Sequence, residues 1–199
     1  MACAGHVTAI EIDPELVAYL RQRFVHARNF ELLQADALEA DFASHRPDVV
    51  AGNLPYYIAT PLIARTVRLA VRGVFLIQRE VAERLTAGPG SRDYGFLSVE
   101  TQLFADPELK FVVKPGAFEP PPKVDSAVVE LLPRDRATEL EISDRERFLA
   151  FLSACFRQKR KTLRNNLRAG FAIDGQPEAG MRAEQLSLEE LAGLWRRLQ

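Results

Sequence analysis

Two cysteines in 199 residues, Cys3 and Cys155, stand far apart and without metal-ligand spacing. With no export signal beside them, they read as reduced packing residues of a cytoplasmic protein. The opening MACAGHVTAIEID lacks the basic and long apolar stretches of such a signal. Long apolar runs are missing elsewhere too, so no membrane span is expected. His6, His26 and His45 show no metal spacing either, and they read as surface or packing residues. Internal repeats and low-complexity tracts are absent. So is an excess of one charge: 26 Lys and Arg against 27 Asp and Glu leave a net charge of −1. That balance argues against a uniformly basic nucleic-acid binder.

What the chain does have is a core. With 47% hydrophobic and 27% charged residues it reads as a soluble globular protein, with one sizeable core and room for a small satellite domain. Its charge is unevenly spread. RQKRKTLRNNLR, residues 157–168, is half Arg or Lys and holds no acid. A near-neutral protein with one such segment can still grip phosphates locally.

Strand and helix patterns alternate along the first two thirds. HVTAIEID is an apolar strand running into an acid; Asp13 then reads as an N-cap and Pro14 as the first helical residue. Leu16, Val17, Leu20 and Phe24 are expected on one face of that helix. NFELLQAD is a second strand and PDVVAGN a third, apolar on both faces as in a parallel sheet. Thr60 and Pro61 open a helix, GVFLIQ is a fourth strand, and REVAERLTAG is the helix after it. This alternation predicts an α/β fold with a parallel sheet. LKFVVKPGAF and VDSAVVELL then read as an antiparallel hairpin at the sheet edge. After LLPRDRATELEI no strand pattern follows, and Ser143–Glu146 and Ser187–Glu190 are both spaced as capping boxes. A domain boundary is therefore expected near residues 133–142, with an all-helical domain beyond it.

Three polar residues, Glu11, Asp36 and Asn53, sit at strand ends, where doubly wound sheets hold their ligands. An acid ending one strand can accept hydrogen bonds from ribose hydroxyls, and an acid ending the next can accept from an adenine amino group. Together they suggest an adenosine-containing cofactor; each alone can equally be a cap or a solvated loop acid.

Asn53-Leu54-Pro55-Tyr56 follows the third apolar run directly. An adenine N6 amine is a poor nucleophile, because its lone pair is delocalised into the ring. Two acceptors aimed at its hydrogens favour the localised, tetrahedral form. The Asn53 side-chain oxygen and the Leu54 carbonyl can be those acceptors, with Pro55 stiffening the backbone between them. Tyr56 offers a flat face to a base taken out of its stack. The bland alternative is a strand-to-helix turn with a capping Asn and a core Tyr.

These residues carry a resemblance. VTAIEID, QADAL, NLPYYIATPLI, LIQREVAERLTAGPGSRDYGFLSV, FEPPPKVDSAVV, FRQKRKTLRNNL and RAEQLSLEEL run in order across almost the whole chain. In them the chain resembles the KsgA-type small-subunit rRNA adenine N6-dimethyltransferases. The resemblance implies a Rossmann-like class I methyltransferase sheet over residues 1–133 and a helical RNA-docking domain over 143–199. It implies transfer of methyl groups from S-adenosylmethionine to N6 of two adjacent adenines in 16S-type rRNA, with a role in ribosome biogenesis. Glu11 would hold the cofactor ribose and Asp36 its adenine, with Asn53 also against the cofactor. Asn53 and Leu54 would hold the target amine, and Tyr56 and Phe118 would pack on the flipped base. Arg157, Lys159, Arg160, Lys161, Arg164 and Arg168 would dock rRNA through phosphate contacts. The implied partner is an immature small subunit, bound by a cytoplasmic monomer with no metal.

The sequence departs from that family at its start. No Q-N-F-L-like segment and no glycine-rich E-x-G-x-G loop precedes HVTAIEID. The chain is read as beginning just before the family's second strand, through a truncated or misassigned start. Two other readings share its features: a non-catalytic rRNA-binding assembly factor and an Erm-type 23S rRNA methyltransferase. A nicotinamide-dependent oxidoreductase would leave NLPY and the basic segment without a role. The departure predicts weak or no binding of S-adenosylmethionine by the 199-residue chain, and titration calorimetry measures it; micromolar affinity would refute the expectation.

Overall fold

The computed structural model describes residues 4–199; Cys3 lies outside them. The chain forms two compact units, Met1–Asp48 and Val49–Gln199. No helix among the described residues is long and apolar enough to cross a membrane.

The first unit is a strand–helix–strand element. β1 (Val7–Glu11) pairs in parallel with β2 (Phe30–Gln34), with Val7 opposite Phe30 and Glu11 opposite Gln34. α1 (Pro14–Arg23) joins them. Asp13 caps it as expected: its carboxylate accepts from the Glu15 N–H at 2.8 Å and the Leu16 N–H at 3.4 Å. The expected helical face is narrower than the apolar spacing suggests. Val17 is buried, Leu20 and Phe24 are half-buried, and Leu16 is exposed. Val17, Leu20 and Phe24 follow the i, i+3, i+7 stripe, and Leu16 lies to its side. The Phe24 and Phe30 rings close the unit at 4.6 Å.

The second unit is built on a four-stranded mixed sheet. It contains β3 (Val49–Asn53), β4 (Arg72–Gln78), β5 (Ala105–Val113) and β6 (Ser126–Pro133), in the spatial order β3-β4-β6-β5. β3 and β4 are parallel, bridged by α2 (Ala59–Arg68), as the βαβ pattern requires. β6 runs antiparallel to both β4 and β5. The hairpin read from the sequence is present, with β5 at the edge. Gly73, Phe75 and Ile77 alternate toward one buried face of β4, and Ala127, Val129 and Leu131 do the same on β6.

Helices cover that sheet. α3 (Arg79–Thr86) leaves β4 directly. α4 (Phe96–Phe104) has no counterpart in the sequence reading. Its start is tied down by Ser98, whose hydroxyl accepts from the Gly95 N–H and donates to the Arg84 carbonyl at 2.6 Å. The stretch 133–142, expected as a linker, carries the short α5 (Arg136–Glu139) and lies within the second unit. Beyond it come α6 (Arg145–Cys155), α7 (Leu163–Leu167) and α8 (Leu188–Arg197), and no strand among the described residues. Phe148, Phe151, Phe171 and Trp195 form their aromatic core, with Phe151 and Trp195 centroids 5.3 Å apart. Of the two expected capping boxes, Ser187–Glu190 closes in both directions. Ser143 does not cap α6: the next residue, Asp144, accepts from the Arg147 N–H at 2.9 Å and sets the start one residue later.

On the sheet, Glu130 of β6 is buried to 7% exposure and pairs with Arg72 of β4 and Lys110 of β5, the latter at 3.1 Å. The Lys110 and Arg72 hydrogen bonds hold its carboxyl below the ordinary Glu range. A folded-state pKa below the unfolded one gives stability that is complete above about pH 4.3 and is lost as pH falls through the folded value. Glu130→Gln is therefore expected to lower the melting temperature most at neutral pH. Its gap to the unsubstituted protein should close as pH drops below about 4, followed by circular dichroism.

Candidate active site and nucleic-acid interface

The first unit supplies two carboxylates at neighbouring strand ends. Glu11 ends β1, and one of its oxygens accepts from the Ile12 and Asp13 N–H groups at 2.8 and 2.9 Å. Asp36 stands two residues past β2, and one of its oxygens accepts from the Leu38 N–H at 2.8 Å. The Ala35 N–H donates to the Glu11 carbonyl at 3.1 Å, so the two strand ends stay in register past the ladder. Each carboxylate is aimed by its own backbone and keeps a second oxygen that accepts nothing among the described residues. Two preset acceptors at adjacent strand ends fit the hydroxyls of a ribose and the amino group of an adenine. That pair of acceptors suits a nucleoside cofactor.

The second unit holds the tetrad. Asn53 is the last residue of β3, opposite Leu76 of β4. The Leu54 N–H donates to the Leu76 carbonyl at 3.0 Å, which carries the sheet pairing one residue past the strand. The Leu54 side chain is buried at 7% exposure and anchors the turn from below. A Cβ on Gly52 would stand 3.0 Å from the Leu54 side chain, so a larger residue there would push on that anchor. The Ile58 N–H closes on the Pro55 carbonyl at 3.0 Å, and α2 follows from Ala59, one residue before the expected Thr60. Within this frame the Asn53 carboxamide is exposed, and neither it nor the Leu54 carbonyl has a hydrogen-bond partner among the described residues. A strand-ending amide in a capping role would have spent its oxygen on the helix; α2 has no side-chain cap.

Tyr56 and Phe118 follow strands that finish at the same end of the sheet, β3 and β5. Gln78, Ser126 and Val113 are register partners across β4, β6 and β5, so the starts and ends of these strands align where Asn53 ends β3. The Tyr56 hydroxyl lies 3.2 Å from the Ser126 Oγ. Phe118 sits half-buried in the loop between β5 and β6, its N–H donating to the Pro115 carbonyl at 3.1 Å. Tyr57, beside Tyr56, is 83% exposed.

The basic segment is a turn followed by a short helix, not a helix face. α6 ends at Cys155, residues 157–162 turn, and α7 begins at Leu163. Arg157, Lys159, Arg160, Lys161, Arg164 and Arg168 are all exposed. Arg164 pairs with Asp174 at 3.0 Å, and the Lys159 amine donates to the Arg92 carbonyl. Arg157, Arg160, Lys161 and Arg168 have no acidic partner among the described residues, a poor arrangement for stability and a good one for phosphates. Lys159 and Arg160 also line an open groove of about 820 Å3, with Arg84, Arg92, Phe96 and Phe156.

Sequence reasoning missed the residue that holds this turn. Asn166 is buried, and its amide donates to the Cys155 carbonyl at 2.7 Å and the Gln158 carbonyl at 3.2 Å. It satisfies the Cys155 carbonyl at the end of α6, which has no partner within the helix, and ties it to the Gln158 carbonyl in the turn beyond. Set in RNNLR, it gives no signal of burial. Cys155 is a buried free thiol whose pKa burial pushes up, in keeping with a packing role.

A protein family described as ribosomal RNA adenine dimethylase matches residues 1–189. A ribosomal RNA small subunit methyltransferase A from Acidobacterium capsulatum is 46% identical, over 98% of this chain and 75% of the relative. The protein of that name from Xanthomonas oryzae pv. oryzae is 44% identical, over 96% of this chain and 76% of its own. Among solved structures, a dimethyladenosine transferase from Plasmodium falciparum superposes with a TM-score of 0.79 at 24% identity, over 96% of this chain and 81% of that one. The 23S rRNA methyltransferase ErmE superposes at 0.67 with 25% identity, over 98% and 82%. Both have the fold expected from the strand and helix order.

Asn166→Ala is expected to destabilise the protein by about 1–3 kcal/mol, because the buried Cys155 carbonyl loses its donor. Hydrogen exchange should quicken at the Lys161 amide, which bonds the Gln158 carbonyl at 2.9 Å, and leave β4 protected.

Proposed function

The chain belongs to the ribosomal RNA adenine dimethylase family, and from that premise we propose that it methylates N6 of two adjacent adenines in small-subunit ribosomal RNA. The methyl donor is S-adenosylmethionine, and the substrate is the RNA of an immature small subunit, met in the cytoplasm by a monomer.

The observation that carries the reading is the pair of free acceptors at the end of β3, the exposed Asn53 carboxamide oxygen and the Leu54 carbonyl. Hydrogen bonds from an exocyclic amine to these two oxygens pull its lone pair out of the ring. They also stabilise the positive charge that grows on the nitrogen as it is alkylated. The Leu54 carbonyl is fixed before the base arrives by the Leu54 bond to Leu76 and its buried side chain, and the ladder fixes the backbone from which the short Asn53 side chain reaches. Preorganised dipoles of this kind act without a strong general base.

Tyr56 and Phe118 supply the faces on which the extruded base packs. In the first unit, the second oxygens of Glu11 and Asp36 would hold the ribose and adenine of S-adenosylmethionine. When bound, that cofactor supplies an electrophilic methyl group. The turn of Arg157–Lys161, with Arg164 and Arg168, belongs to a helical docking segment over residues 143–199 that takes up rRNA phosphates.

Asn53→Ala is expected to cut methyl incorporation into small-subunit RNA by about 10²–10³-fold, the usual loss when one preorganised group is removed. RNA affinity should stay unchanged, because the basic turn is untouched. The assay uses labelled S-adenosylmethionine, with RNA binding followed by fluorescence anisotropy. RNA binding with no methyl transfer by the unsubstituted chain would favour the assembly-factor reading instead, and transfer confined to large-subunit RNA would favour the Erm-type one.

A further inference from the structure

The loop that carries Phe118 is closed at its neck. β5 ends at Val113, opposite Ser126, so Lys114 and Asp125 are the next pair beyond the ladder. The Lys114 amine donates to an Asp125 carboxylate oxygen at 2.7 Å. The Arg79 guanidinium faces that oxygen at 3.6 Å, and the Arg79 N–H donates to the Asp125 carbonyl at 3.0 Å. Glu83 steadies the Arg79 side chain at 2.7 Å. From Lys114 the chain makes one tight turn, with the Ala117 N–H on the Lys114 carbonyl and the Phe118 N–H on the Pro115 carbonyl. Phe118 is thus tied through that turn to Lys114, and through Lys114 to Asp125 and the end of β4. One residue on, Ser126 is 2% exposed and its hydroxyl meets the Tyr56 hydroxyl.

We propose that Asp125 and Ser126 are positioning residues for the target base. Ser126 sets the Tyr56 ring through the hydroxyl pair, and Asp125 sets the Phe118 ring by fastening the loop neck. Two consecutive residues, the first of β6 and the one before it, therefore fix the spacing between the two rings, and neither touches the base. This inference rests on the reading of Tyr56 and Phe118 as base-packing residues.

The test uses the full chain and an RNA hairpin with two adjacent loop adenines, one replaced by 2-aminopurine. Fluorescence reports how the base packs, and anisotropy reports RNA binding separately. Ser126→Ala is expected to weaken the fluorescence response about threefold to tenfold, the range of one hydrogen bond, at unchanged RNA affinity. Tyr56→Phe should do the same, and the double variant should lose no more than either single one. Asp125→Asn should also weaken the response. Lys114→Ala should weaken it as well, and its combination with Asp125→Asn should lose less than the sum of the two, because both remove the same contact. A merely structural defect would lower RNA binding along with the base signal.

If Tyr56→Ala and Phe118→Ala abolish the response while Ser126→Ala and Asp125→Asn leave it intact, the positioning inference fails and the base-packing reading stands. If Tyr56→Ala and Phe118→Ala also leave it intact, the base-packing reading fails and the inference falls with it.

Discussion

The register of β4 against its two neighbours is the constraint on which the second unit depends. β4 pairs in parallel with β3 and antiparallel with β6, so one strand end brings together the end of β3 and the start of β6. The core fixes that register. Phe75 and Ile77 point to a face that also buries Val129 and Leu131, and a slip of one residue would turn them all to the opposite side. The same slip would carry Ser126 away from Tyr56 by about 3.4 Å, one strand residue, which exceeds the reach of a hydrogen bond. Placement of the tetrad and of the Phe118 loop is thus a by-product of hydrophobic packing several residues away. The polar contacts at the edge, Leu54 to Leu76 and Arg79 to Asp125, refine a position the core has already chosen.

The sequence was most legible where a residue's job is local. Asp13 and Ser187 cap helices because a short polar side chain reaches the next turn's N–H groups whatever the rest of the chain does. Strand ends were legible for a similar reason: apolar runs stop at Glu11, Asp36 and Asn53, and the polar residue either ends its strand or follows it. Ser143 shows the limit. Its spacing to Glu146 is right, but Asp144 beside it is as good a cap, and the choice belongs to the packing of Phe148 and Leu149. α4 was illegible because Ser98, Val99, Glu100, Thr101 and Leu103 are all buried, so no polar face marks a period. Asn166 was illegible because only the folded chain brings the Cys155 and Gln158 carbonyls to its amide.

Charge is arranged to leave the turn after α6 uncompensated among the described residues. Arg68, Arg72, Arg79, Arg134, Arg136, Arg145, Arg196 and Arg197 each face a carboxylate within the ion-pair range. Exposed pairs of this kind add little stability, so their effect is chiefly to flatten the field around them. Against that neutral background the turn after α6 presents Arg157, Arg160 and Lys161 without acids. A net charge of −1 therefore hides a local potential, and the local one is what a polyanion meets within a Debye length of about 8 Å.

The proposed function asks for two kinds of recognition, and they obey different distance laws. Phosphate capture by a turn of long side chains falls off slowly and tolerates several ångströms of error, since Lys and Arg can swing their charge to meet the backbone. Capture of an amine by a carboxamide and a peptide carbonyl fails within about half an ångström of misplacement. The first task can be left to an exposed turn pinned at one point by Asn166. The second needs the end of a strand, a short side chain, and a proline after the carbonyl. The chain distributes its residues accordingly. It puts its flexible cations on the connection between α6 and α7, and it places Asn53 and Leu54 where the ladder of β3 and β4 leaves the backbone least freedom. An RNA held loosely by its phosphates can still shift until one base finds the strand end. In the proposed function that order, tolerant contact before exacting contact, would let the strand end select a single base from a large substrate.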